Sequence, residues 1–126
     1  MPYKRCSNCK IHEGFYLSYL SIEDQVESAT KKLMSKYPGK DLVITGASLG
    51  GALATIAAIE LHSKITSISE LHTYGSPRVG DINFSMFVKT RIPNSLRVVH
   101  NRDIVPHVPL ISQNYHHISF EVLFDE

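Results

Sequence analysis

The chain predicts an α/β fold, a mostly parallel sheet with helices on both faces, and three observations carry that expectation. Short apolar, β-branched runs alternate with longer segments of helical period along the 126 residues. The best-defined run, Leu42-Val43-Ile44-Thr45, leads straight into a small-residue helix through Gly46-Ala47-Ser48-Leu49-Gly50, the Gly-x-Ser-x-Gly pattern of a serine at a sharp strand-to-helix turn. Composition is ordinarily globular, at 43% hydrophobic and 20% charged residues with a net charge of +1, which fits one domain over 1–126. A chain of this length buries roughly two thirds of its unfolded surface.

Taken in order, the first unusual feature is Cys6-Ser7-Asn8-Cys9. A thioredoxin-type redox pair opens a helix after a strand, which the flanking residues do not offer. Zinc needs four ligands, and Cys6, Cys9 and His12 supply three. A local disulfide and two plain thiols remain, and the residues alone leave that choice open. Between Phe15 and Tyr37, apolar positions at Ile22, Val26, Ala29, Leu33 and Tyr37 predict one amphipathic helix, with Ser21 and Asp24 spaced as a cap and Pro38-Gly39 as the stop. The helix after the elbow spans 49–61 and opens on small residues that let its N-terminus approach the sheet. Gly46 and Gly50 are both expected because a side chain at either would strike neighbouring backbone. Leu71-His72-Thr73-Tyr74 reads as a strand, Gly75-Ser76-Pro77 as a turn, Phe84 to Thr90 as a short helix, and Leu96 to His100 as another strand. Ile118 to Phe124 is the last strand, with the alternation of an edge.

A serine hydroxyl is a weak nucleophile at neutral pH, so Ser48 needs an imidazole to take its proton and a carboxylate to orient that imidazole. The amide of Leu49, at the positive end of the helix, is the expected oxyanion donor. Active groups in a parallel sheet gather at the carboxyl ends of strands. Asp103 stands there after the His100 strand, ahead of Asp81 one strand earlier, and Ile104-Val105-Pro106 fixes its loop against an apolar wall. For the base, the chain order serine, acid, histidine leaves His107, His116 and His117. His107 shares the loop of Asp103 and reads as a loop or pocket residue, and local reasoning does not separate the other two. Ile104, Val105, Val108, Leu110 and neighbours offer an apolar wall for an acyl chain or an aromatic acid.

Several motifs together resemble the fungal-type class 3 lipases and their feruloyl esterase relatives: Cys9 to Phe15, the elbow, Tyr74-Gly75-Ser76-Pro77-Arg78-Val79-Gly80, Asp103-Ile104-Val105-Pro106, and His117 to Val122. The resemblance implies an α/β-hydrolase fold and a carboxylic ester hydrolase. Ser48 would be its nucleophile, Asp103 its acid and His117, four residues before Glu121, its base. It implies a Cys6–Cys9 disulfide, as in the feruloyl esterase branch, and a secreted or endomembrane-lumenal setting. Ala47 stands where the family usually has His. Family members carry a substantial region before the Cys9 to Phe15 match, with the first strands, the lid and a second oxyanion donor. The resemblance therefore implies that this chain is the carboxyl-terminal catalytic part, its elbow strand at an open edge available for self-association.

No metal or other cofactor is implied. Basic residues form no stripe interleaved with aromatics, which argues against nucleic acid as a partner, and leaves a small-molecule or lipid ester substrate with possible contact at a lipid interface. A second class of function, a catalytically incomplete fragment that binds a partner, uses the same motifs as architecture.

Overall fold

The apolar runs become four strands: β1 (Val43–Ala47), β2 (Glu70–Tyr74), β3 (Ser95–His100) and β4 (Phe120–Phe124). The computed structural model describes residues 1–125 and pairs these strands into one parallel sheet in the order β1-β2-β3-β4. Register places Ala47, Tyr74, Val98 and Val122 abreast, so Ser48 and Gly75 lie side by side at the carboxyl end. Among the described residues the elbow strand β1 stands at one end of this order.

Among the described residues four α-helices accompany the sheet: α1 (Glu13–Leu20), α2 (Glu23–Lys36), α3 (Leu49–Lys64) and α4 (Ile82–Arg91). The single helix expected between Phe15 and Tyr37 is thus two. Ile22 leaves helical dihedrals at φ −121° and ψ 0°, and α2 has no side-chain cap. The Ser21 hydroxyl, instead of capping forward, donates back to the Ser18 carbonyl at 2.7 Å, the backbone competition that serine offers. The cap that sequence reading missed is His12, whose Nδ1 accepts from the Phe15 N–H at 3.3 Å.

Helix α3 is the centre of the core, packed along β1 and β2 with α1 against its other side. Ile56 and Ile59 are fully buried there, each worth about 1.5–3 kcal/mol by transfer. Helices were expected on both faces of the sheet, and the described residues place them on one. Leu71, Thr73, Ser95, Arg97 and Val99 are buried on that face, whereas Val43, Tyr74, Phe120, Val122 and Phe124 stand exposed on the other. The reason lies in strand order: right-handed crossovers taken in the unbroken sequence β1-β2-β3 put every connection on one side, and only a reversal of order would send a helix across.

The first twelve residues lie against α3 through a buried carboxylate. Glu60 Oε1 accepts from the Tyr3 hydroxyl at 2.9 Å and Oε2 from Arg5 Nε at 2.7 Å. Cys6 and Cys9 are joined in a disulfide, with Cα atoms 5.4 Å apart, which decides among the readings left open for that pair.

Candidate active site

Ser48 is the single residue between β1 and α3, and it sits at φ 52°, ψ −128°. A non-glycine residue in that region stores about 1–3 kcal/mol, and the surroundings must hold it there. They do so through the Ser48 N–H donating to the Tyr74 carbonyl at 2.8 Å and the Ser48 carbonyl accepting from Gly51 N–H at 2.9 Å. Gly46 is demanded by contact, since a Cβ there would lie 2.2 Å from the Gly50 carbonyl oxygen and 2.9 Å from Ala54 Cβ. Gly50 departs from expectation, because a Cβ added at that position would meet nothing within 4 Å. The reason is that Gly50 is the second residue of a helix whose N-terminus faces solvent. The close approach of α3 is made one residue later, where a Cβ on Gly51 would come within 2.7 Å of Ser76 Cβ. Ser48 and Leu49 are exposed, and the Leu49 amide is a first-turn donor that intrahelical bonding leaves unpaired.

Asp103 lies three residues beyond β3, its amide bonded to the His100 carbonyl at 2.8 Å. Its carboxylate is held on two sides. Oδ1 accepts the Val105 N–H at 3.0 Å, and Oδ2 comes so close to Gly75 that a Cβ there would be 2.6 Å from it. Gly75 itself has φ +57° and directly follows Tyr74, the register partner of Ala47. The structure therefore brings the Asp103 carboxylate, at the end of β2, and Ser48, at the end of β1, to the same end of the sheet. Asp81 is occupied otherwise: it caps α4, accepting the Phe84 N–H at 2.9 Å, and is buried. Sequence reading saw Gly75 only as a turn; its place directly after a strand at the carboxyl end was the available signal for a contact with the acid.

His117 is not brought to either residue. It precedes β4, which puts it toward the amino ends of the strands, while β4 lies three positions from β1. Three strand spacings alone separate them by about 14 Å. An imidazole and a hydroxyl within 2.6–3.2 Å need Cα atoms within roughly 10 Å of each other. The Nε2 that would face Ser48 instead bonds the Pro106 carbonyl at 2.6 Å, and a carbonyl only accepts, so that nitrogen carries the proton. Burial first, then the Arg97 guanidinium, lowers the His117 pKa to about 4. The assignment of His117 as base is corrected on these grounds: a segment leading into a parallel strand lies at the opposite end from one leaving it. His116 pairs through its N–H with the Gly80 carbonyl at 2.8 Å, and His107 Nδ1 bonds the Asp103 backbone carbonyl at 3.0 Å, not its carboxylate.

The apolar wall is also looser than expected. Ile104 is 74% exposed, Val108 and Leu110 are exposed, and Val105 is half-buried. A cavity of about 270 Å³ opens nearby, but its lining includes Arg78, Asn101, Pro106, His107, His117 and Glu121 and none of those four. The cause is the tight turn at Val105–His107, which buries Pro106 and leaves the side chains on either side of it facing solvent.

Known proteins share this fold. A family model described as lipase (class 3) matches residues 1–113. The secreted mono- and diacylglycerol lipase A of Penicillium cyclopium is 36% identical over 116 residues, covering 92% of this chain and 38% of that protein. The crystal structure of a lipase from Rhizopus microsporus var. chinensis superposes with a TM-score of 0.93 at 34% identity, over 98% of this chain and 45% of that one. A triacylglycerol lipase whose catalytic centre is formed by a serine protease triad superposes with a TM-score of 0.91 at 32% identity, over 98% and 48%. The chain spans less than half the length of these relatives, and by the match along residues 1–113 together with the shared fold it belongs to the class 3 lipase family.

Proposed function

We propose that these residues form the nucleophile-and-acid part of one catalytic domain of a carboxylic ester hydrolase acting on lipid esters. The observation that carries the reading is Ser48, held at φ 52° on the tip of β1 with the Asp103 carboxylate pinned at Gly75 on the next strand. Ser48 Oγ attacks the ester carbonyl, and the oxygen that becomes negative meets the Leu49 N–H and the positive end of α3. An imidazole between Ser48 Oγ and Asp103 Oδ2 accepts the proton, returns it to the leaving alcohol and then activates water against the acyl-serine. That imidazole is not His117. The triacylglycerol lipase with a serine protease triad and the mono- and diacylglycerol lipase support both the chemistry and the glyceride substrate class. The Cys6–Cys9 disulfide and the secreted relative support an oxidising, extracellular setting.

Labelling with a fluorophosphonate, with and without added imidazole, tests the site directly. We expect slow modification of Ser48 that free imidazole accelerates by filling the place of the base, and none in Ser48→Ala. In the active enzyme Ser48→Ala lowers turnover about a millionfold and Asp103→Asn about ten-thousandfold. A panel of glycerides, phospholipids and feruloyl esters then assigns the acyl class. Ester hydrolysis that survives Ser48→Ala would sink the proposal.

A further inference from the structure

We propose that His117 is a positioning residue for Asp103, acting through the Pro106 carbonyl, and not a proton carrier; the functional meaning rests on the ester hydrolase reading above. The geometry is a continuous chain of hydrogen bonds. His117 Nε2–H donates to the Pro106 carbonyl at 2.6 Å. Pro106 is the buried middle of the tight turn Val105–His107. The first residue of that turn gives its N–H to Asp103 Oδ1 at 3.0 Å, and the last gives Nδ1–H to the Asp103 carbonyl at 3.0 Å.

The other end of the chain is anchored as well. Ser85, on α4, donates its hydroxyl to the His117 carbonyl, so the residue is tied to a helix through its backbone and to the acid loop through its ring. Arg78 completes the support by donating Nη1–H to the carbonyls of His107 and Pro109, the latter at 2.8 Å. Burial and the nearby guanidiniums of Arg97 and Arg78 outweigh the Pro106 bond and Glu121 and keep the imidazole neutral, with one fixed tautomer. Such a ring can donate a hydrogen bond without gaining or losing a proton through the neutral range. The tolerance at the far end is small, because Asp103 Oδ2 already touches the surface of Gly75. Removing the donor leaves the buried Pro106 carbonyl unpaired, which favours a shift of the turn and with it the loss of the Val105 bond to Oδ1.

The test compares His117→Ala and His117→Gln, since a glutamine amide can donate to Pro106 and cannot shuttle protons. In this chain, NMR should show His117 as the Nε2–H tautomer. The Val105 amide and the Asp103 carboxyl carbon should shift in His117→Ala and return in His117→Gln. In the active enzyme, counted per fluorophosphonate-titrated serine, His117→Ala should lower kcat about 10- to 100-fold with KM unchanged, and His117→Gln should restore it. If His117→Ala does not fold, His117→Phe supplies the ring volume without the donor. Glutamine as inactive as Ser48→Ala would make His117 the base and overturn the inference. A folded His117→Ala or His117→Phe with unmoved Val105 and Asp103 signals would overturn it too. Activity that persists in Ser48→Ala would defeat the hydrolase reading alone, while the NMR comparison still judges the positioning role.

Discussion

The two glycines of the elbow should respond to alanine in opposite ways. At Gly46 the new methyl would lie 2.2 Å from the Gly50 carbonyl oxygen and 2.6 Å from its carbon. Both are backbone atoms at the start of α3, so relief requires moving the helix away from β1 or bending the strand. Overpacking of that kind costs about 1–3 kcal/mol and more where backbone is struck, so we expect the upper end of the range. At Gly50 the methyl meets nothing within 4 Å, and the position is helical. Alanine is favoured over glycine in a helix by about 0.5–1 kcal/mol, and slightly less in a first turn. Gly50→Ala should therefore be neutral or stabilising by up to about 1 kcal/mol. Urea unfolding reads the difference: with a slope of about 1–3 kcal/mol per molar, the two midpoints should separate by roughly 1 M or more. Equal destabilisation by both substitutions would refute the reasoning. A Gly50→Ala protein that is fully stable yet slow to label with fluorophosphonate would assign that glycine to ligand approach instead of folding.

Gly75→Ala places a methyl 2.6 Å from Asp103 Oδ2 at a backbone φ of +57°, so it should displace the carboxylate and slow imidazole-assisted labelling of Ser48 while costing about 1–2 kcal/mol in unfolding experiments. Arg5→Met removes one of the partners of the buried Glu60 carboxylate and should destabilise by about 2–4 kcal/mol; a loss under 0.5 kcal/mol would mean that Tyr3 and Lys64 suffice. The His117 imidazole binds its proton less readily folded, at about 4, than in the unfolded chain, at about 6.5. The unfolded state therefore takes up the extra proton as pH falls from about 6.5 to about 4, and stability drops across that window. Discounted for partial exposure, the loss is roughly 2 kcal/mol. His117→Gln should remove this component, visible as a flatter stability curve between pH 4 and 6.5 relative to the parent chain; parallel curves would contradict it.

The elements that sequence revealed best are those whose signal is local. The β1 run, the Ser48 elbow and the packed α3 follow from residue type and period, and Asp103 follows from its place just after a strand. What sequence hid depended on partners far away. Glu60 sits in a helix that reads as apolar on most faces, and its burial makes sense only with Tyr3 and Arg5, more than fifty positions earlier. The one-sided placement of helices depends on strand order, which no local pattern encodes. The break between α1 and α2 turns on one serine hydroxyl choosing the carbonyl behind it.

His117 is the instructive case, because the information needed to exclude it was present in the chain. Its spacing to Glu121 suggested a base, yet the same reading made Ile118 to Phe124 a strand in a parallel sheet. A residue that enters such a strand stands at the amino end, and a residue that leaves one stands at the carboxyl end. Ser48 leaves β1 and Asp103 leaves β3, while His117 enters β4. Topology thus outranks motif spacing: β4 lies three positions from β1, so His117 and Ser48 cannot share a proton, whatever their order along the chain. The same placement gives His117 a different use, because the loop that leaves β3 with Asp103 must cross the sheet to begin β4. Where it does so, the last imidazole before the strand meets the first turn after the acid, which is the contact between His117 and Pro106.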